Sequence, residues 1–197
     1  MREFGVEGRV PEEFVIASTD QETASMLGSS LTRICAIGGD LSHALGSRGR
    51  SCKTGDPCTL CDVDAIEVEA TYRDGTLRTY FAVSTVCIGG WNEGIDYVTS
   101  TGFESGRELC PRAHPGDAML DLLSIASGLG WRTKRAITRR MMLGTHLPHP
   151  AISTSRDTSF FFTGPKRLVV DGVPRGVAES VTCRVLAGVV PMVVPHG

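Results

Sequence analysis

Residues 14–27, "FVIASTDQETASML", carry a short β-branched apolar segment straight into small polar residues, an aspartate and a helix-forming run. Residues 33–46, "RICAIGGDLSHALG", repeat the plan with Gly38-Gly39-Asp40 at the turn. A strand that passes at once into a helix N-terminus is where proteins hold phosphate, because free N–H groups and the helix dipole favour an anion there. Thr19 is placed to cap the first helix, with Glu22 three residues on to complete a capping box. Gly46 closes the second helix.

Beyond the loop "GSRGRSCKTGDPC" the chain turns to β-structure. Residues 65–83, "AIEVEATYRDGTLRTYFAV", alternate apolar and polar positions on either side of Asp74-Gly75, the signature of a hairpin with a type I′ turn. "AMLDLLSIA" suits a strand or a buried helix, and "WRTKRAITRRMMLG" reads as a basic helix ended by Gly144. "SFFFTG", "KRLVVDGVPRGV", "ESVTCRVLAG" and "VPMVVP" supply four short strands, one pair joined at Asp171-Gly172. The fold class is therefore α+β: a small α/β piece, then an antiparallel β-domain.

A net charge of −2 gives nucleic acid no general attraction, so the basic residues act locally if at all. "MREFGVEGRVPEEF" lacks the apolar core of a signal peptide, and "VLAGVVPMVVP" is too short to span a bilayer. Seven cysteines form an odd set without secretory context, which reads as a reduced, cytoplasmic protein.

The order of segments resembles the catalytic region of diacylglycerol kinase-like lipid kinases, from about Phe14 to the C-terminus. "IGGDLSHALG" resembles that family's Gly-Thr-Gly-Asn-Asp segment, and "PRAHPGDAMLDLLSI" its Asp-Gly-x-Leu-Asp segment. "LGTHLPHPAI" resembles the Gly-x-His and His-Pro stretch, "LVVDGVPRG" the Val-Asp-Gly-Glu hairpin, and "VVPMVVP" the closing strand. The resemblance implies a nucleotide-binding α/β domain, of which residues 1–50 would be a remnant, followed by a β-sandwich over residues 51–197.

The same resemblance exposes departures. "STDQE" stands where the family has Gly-Gly-Asp-Gly-Thr: Asp20 is kept, the glycines are lost, and Glu22 adds charge where a triphosphate would lie. Two anions ~5 Å apart repel by about 1 kcal/mol even at the dielectric of water. Gly38, Gly39 and Asp40 keep the aspartate of the second segment without its threonine and asparagine. Val173 replaces the hairpin glutamate, a proposed base, and cannot accept a proton. Only 13 residues precede Phe14, so the first elements of a nucleotide domain are expected to be missing. ATP binding is not expected.

Asp20, Gly38, Gly39 and Asp40 are thus candidates for a phosphate-site remnant, although an aspartate that begins a helix also stabilises it. Asp117 corresponds to the family's metal-proximal aspartate and is the candidate Mg²⁺ ligand. Cys52, Cys58 and Cys61, with metal-knuckle spacing in the latter pair, are candidate Zn²⁺ ligands or free thiols. Arg132, Lys134, Arg135, Arg139 and Arg140 share one helix, with Ile137, Met141 and Met142 opposite; they form a solvated face or a surface for anionic lipid. The expected function is binding of a lipid-like or other amphiphilic ligand, or of a protein partner or second copy, without phosphoryl transfer and with at most peripheral membrane contact. An active lipid kinase completed by a partner chain, and an enzyme built on the cysteines, are the alternatives.

Overall fold

The computed structural model describes residues 4–28 and 32–196. Strands β1 (Val6–Arg9) and β2 (Phe14–Ala17) lead to helix α1 (Asp20–Ser25), strand β3 (Arg33–Ala36) and helix α2 (Gly39–Ala44). Strands β4 (Pro57–Tyr72), β5 (Leu77–Ala82), β6 (Thr85–Gly90), β7 (Gly94–Thr99), β8 (Phe103–Glu104), β9 (Arg107–Glu108) and β10 (Leu120–Ile125) follow. Helix α3 (Trp131–Met142) then precedes β11 (Ile152–Asp157), β12 (Ser159–Val170) and β13 (Val173–Pro195). Leu31, the first residue of the expected strand "LTRICAI", lies outside the described residues.

Eleven strands form one mostly antiparallel sheet, in the path β1-β4-β13-β12-β6-β7-β10-β11, with β5 on β4 and the pair β2-β3 attached to β13. The β2–β3 pairing is parallel, as is the single link Met192 to Ile34 that joins it to β13. Ile66 and Val68 of β4 share a buried cluster with Val86 and Ile88 of β6 and Leu120 of β10, so the sheet curls around this cluster. A second cluster, with Ala17, Ile34, Ala36 and Leu41 against Val63 and Met192, seats the α1–α2 unit on the long strands.

Three expected elements differ in detail. The Asp74-Gly75 turn is not type I′: Gly75 N–H bonds to the Tyr72 carbonyl and only Gly75 has a positive φ, giving a three-residue loop whose glycine is left-handed. Type I′ occurs instead at Asp171-Gly172, with φ of 43° and 77° between paired Val170 and Val173. The four short late strands are two long ones. Irregularities between Thr163 and Lys166, and between Leu186 and Val190, absorb the glycines and prolines without ending the pairing. "AMLDLLSIA" is a strand.

Candidate functional site

The βα turns are self-satisfied. Thr19 Oγ1 accepts the Glu22 N–H at 3.1 Å, and Glu22 Oε2 accepts the Ser18 N–H at 2.6 Å, so the capping box forms one residue wider than its usual form. Asp20 is buried and reaches across to the neighbouring turn. Its Oδ2 accepts the Asp40 N–H at 2.8 Å and its Oδ1 the Leu41 N–H at 3.1 Å. These are first-turn donors of α2, the groups a phosphate would need. Gly38 and Gly39 are dictated by this close approach: a Cβ at Gly38 would lie 2.2 Å from the Ser18 carbonyl oxygen, and one at Gly39 2.3 Å from Asp20 Oδ1.

Asp40 is used in the same way. Its carboxylate accepts the N–H groups of Ser105 at 2.6 Å and Gly106 at 2.9 Å, which holds the tight β8–β9 turn over α2. Asp171 accepts three, from Val83 at 2.8 Å, Ser84 at 3.1 Å and Thr85 at 2.9 Å, and so fixes the β5–β6 connection. Beneath it, Ser84, Thr85, Thr99 and Thr101 form a buried hydroxyl network that includes Ser84 Oγ to Thr101 Oγ1 at 3.0 Å and Thr85 Oγ1 to the Phe103 carbonyl at 2.6 Å.

Asp20, Asp40 and Asp171, far apart in sequence, line one cleft of about 270 Å³ together with Thr19, Arg48 and Glu104. Four carboxylates therefore face it against the single guanidinium of Arg48, and Glu104 is already paired with Arg107. Burial, followed by the negative charge of Asp20, pushes the Asp171 carboxyl up to about 7 despite its three N–H donors. Burial also raises the Asp20 carboxyl, against the N–H bonds from Asp40 and Leu41.

Asp117 stands outside this cleft, between β9 and β10. Its Oδ1 accepts the Met119 N–H at 3.1 Å, and its Oδ2 is ion-paired with Arg156, whose Nε lies 3.7 Å from Asp121. The guanidinium thus supplies positive charge at the position considered for Mg²⁺. Buried Asp64, which sequence reading missed, sits nearby and accepts N–H groups from Ala118 at 2.8 Å and Gly188 at 2.9 Å. Burial raises its carboxyl, and the charge of Asp117 adds to the effect. Its only sequence signal is a polar residue interrupting the apolar run Val63–Ala65.

The cysteine set is corrected. Cys52 forms a disulfide with Cys35, so the expectation of a fully reduced chain is corrected at this pair. Cys58 and Cys61 lie three residues apart on β4, and a strand turns such residues to opposite faces. Cys58 belongs to the cluster with Val10 and Val193, Cys61 to that with Val63 and Met192. Burial and the charge of Asp62 push the Cys61 thiol up to about 11. Among the described residues no group of three or more His, Cys, Asp or Glu is arranged to hold a metal ion.

Helix α3 buries Ile137 and Met141 against Leu109, Leu123 and Ile125. Met142 does not join them: it is 69% exposed, with Leu143 at 65% and Trp131 at 68%, so the solvent side of the helix carries apolar as well as basic residues. Arg132 stacks on Trp131, and Lys134 donates to Asn92 Oδ1 at 3.2 Å. Arg135, Arg139 and Arg140 make no ion pair among the described residues, where no helix is long and apolar enough to cross a membrane.

With the sheet order and the cleft in place, the fold can be compared with known ones. It is similar to a crystal structure from Bacillus anthracis str. Sterne described as a diacylglycerol kinase, at TM-score 0.57 and 14% identity over 93% of this chain and 78% of that one. A second crystal structure from the same organism, also described as a diacylglycerol kinase, gives TM-score 0.56 and 14% identity over 93% and 76%. The class is therefore a diacylglycerol kinase-like fold, and at this identity the likeness concerns the fold alone. No family model and no curated protein matches the chain.

Proposed function

We propose that this protein uses a lipid-kinase fold to bind an amphiphilic or lipid-like ligand without transferring phosphate from ATP. Residues 1–50 are read as the remnant of a nucleotide-binding domain and residues 51–197 as the lipid-side β-domain. The observation that carries the loss of transfer is Asp20, whose carboxylate occupies the α2 donors that a nucleotide phosphate would take. Phosphoryl transfer depends on held phosphates and neutralised charge. Here the cleft carries four carboxylates, Arg156 occupies Asp117, and Val173 has no proton-accepting group.

The lipid side of the reading is supported by α3. Its twelve residues include five cations and no acid. Arg132, Lys134 and Arg135 lie near the helix N-terminus, where a cation opposes the helix dipole, so helix stability does not account for them. Exposed Trp131, Met142 and Leu143 add the apolar contact that an interfacial helix uses. Calorimetry with Mg-ATP, alongside co-sedimentation with anionic and neutral vesicles, tests both halves. The expected result is no heat with nucleotide and retention by anionic vesicles alone. A micromolar dissociation constant for Mg-ATP would overturn the reading in favour of an active lipid kinase.

A further inference from the structure

An open groove of about 770 Å³ lies where the segment after α3 meets the loop after β9, lined by Arg112, Leu147, Pro148, His149, Pro150 and Ile152 among others. Buried His146 joins the two segments, with its Nε2 at 2.8 Å from the Leu109 carbonyl oxygen. Ile152 also packs against the cluster that buries Ile137 and Met141 of α3. The volume falls in the range of small-molecule sites, about 300–1,000 Å³.

The groove's polar groups favour one sign of ligand. Arg112 is exposed and makes no hydrogen bond or ion pair among the described residues. A guanidinium keeps its charge at any ordinary pH and donates without accepting. His149 Nδ1 accepts the Ala151 N–H at 3.1 Å, which places the ring proton of the neutral form on Nε2 as a further donor. No acidic residue lines the groove, although the chain as a whole is acidic. Leu147, Pro148, Pro150 and Ile152 supply the apolar wall.

We propose that this groove binds a single-chain amphiphilic carboxylate, with its head group on Arg112 and His149 and its hydrocarbon chain along Leu147, Pro148, Pro150 and Ile152. A planar carboxylate presents two acceptors that fit the guanidinium fork, and the chain removes apolar wall from water. The assignment deepens the amphiphile reading by naming a site and a head-group chemistry.

Titration of the full chain with decanoate below its micelle concentration tests it, against decanol, acetate and decyl phosphate. Decanoate is expected to saturate, with decanol and acetate each weaker by about tenfold or more, the scale of losing a charge-assisted hydrogen bond or the apolar contact. Arg112→Ala is expected to weaken decanoate by a similar factor while leaving the melting temperature nearly unchanged, because the side chain is exposed and, among the described residues, makes no hydrogen bond or ion pair and acts on Asp121 and Cys110 only at longer range. Arg112→Lys, which keeps the charge and loses the fork, should fall between. Equal binding of decanol, decyl phosphate binding with decanoate silent, or an unchanged affinity in Arg112→Ala would each overturn the proposal. Arg73→Gln, an exposed guanidinium in the β4–β5 turn, should leave decanoate affinity intact. Vesicle retention without decanoate binding refutes the groove alone, whereas failure of both refutes the amphiphile reading.

Discussion

Asp20 Oδ2 accepts the backbone N–H of Asp40 at 2.8 Å, so the acid of one turn caps the helix that the acid of the next turn begins. Asp40 in turn holds Ser105 and Gly106 through its own carboxylate. The three elements around the cleft are thereby linked by carboxylate bonds to backbone N–H groups, part-buried at Asp20 and exposed at Asp40.

Asp20→Ala is expected to destabilise the fold by about 1.5–3 kcal/mol, the range for hydrogen bonds to a charged group. The lower end is expected, since burial already opposes the charge on Asp20. Gly39→Ala should cost at least about 1–2 kcal/mol from its positive φ alone, with the contact on Asp20 added. Urea unfolding measures both. A neutral Asp20→Ala would mean that the caps do not hold the cleft together.

Stability should fall as the pH rises through the neutral range. Asp171 titrates near 7 in the folded protein and near 3.8 as an ordinary carboxyl, so between those values the folded state binds more protons than the unfolded one. Its contribution is complete below about 3.8 and is lost as the pH rises through about 7. Asp20, Asp64 and Asp121, all raised first by burial, act in the same direction. Melting temperatures from pH 5 to pH 8 should decline in the parent and decline less in Asp171→Asn. An equal slope in the two proteins would place the linkage elsewhere.

Much of this architecture is legible in the sequence because its signals are local. The Thr19–Glu22 box, the helix at Trp131–Met142 and the hairpin at Asp171-Gly172 each depend on residues within a few positions of one another. The convergence of Asp20, Asp40 and Asp171 could be expected only from segment order, and what their carboxylates touch could not be expected at all. The Asp20–Leu41 bond spans 21 residues, and Asp171 binds a turn more than 80 residues away. Strand β1, the hold of Asp40 on the β8–β9 turn and the Arg156 ion pairs likewise depend on distant partners. Cys58 and Cys61 are parted for a simpler reason. Their spacing suggests a metal knuckle only in a turn, and here the alternation of β4 continues through them.

Arg156 gives a test of the acidic group beside β10. Removing it as Arg156→Ala leaves Asp117 without its ion pair and Asp121 with only the longer-range charge of Arg112, with Asp64 adding a third carboxyl nearby. Its own ion pairs are partly exposed and contribute roughly 0–1 kcal/mol each, so a modest loss of stability is expected. In the variant, millimolar Mg²⁺ should raise the melting temperature, and in the parent it should not. A shift in the parent would show that these aspartates hold a cation with Arg156 present.

Val173→Glu places in the β12–β13 hairpin the carboxylate that the resembled lipid kinases carry there, without altering the residues around Asp20 and Asp40. No ATP-dependent phosphorylation of a diacylglycerol or sphingoid substrate is expected, because positioning and charge stabilisation carry most of such catalysis. Product formation by this single variant would show that a nucleotide does reach the cleft despite the Asp20 contacts.

The basic helix supplies the last test. A cation close to an anionic bilayer contributes about 1 kcal/mol, so Arg132, Lys134, Arg135, Arg139 and Arg140 together can hold the protein there reversibly. Screening shortens to about 8 Å at physiological ionic strength and about 3 Å at 1 M, so retention should weaken steeply as salt is added. The net charge of −2 opposes binding, which makes the local excess on α3 decisive rather than additive. Arg139→Gln with Arg140→Gln should release much of the protein from anionic vesicles without changing its unfolding midpoint, because both side chains are exposed and make no ion pair among the described residues. Trp131→Ala should weaken retention in a way that salt does not reproduce, since its contribution is apolar burial rather than charge. Co-sedimentation at low and high salt with anionic and neutral vesicles reads all three effects. Equal retention by both kinds of vesicle, or by neither, would leave α3 as a solvated face of the fold.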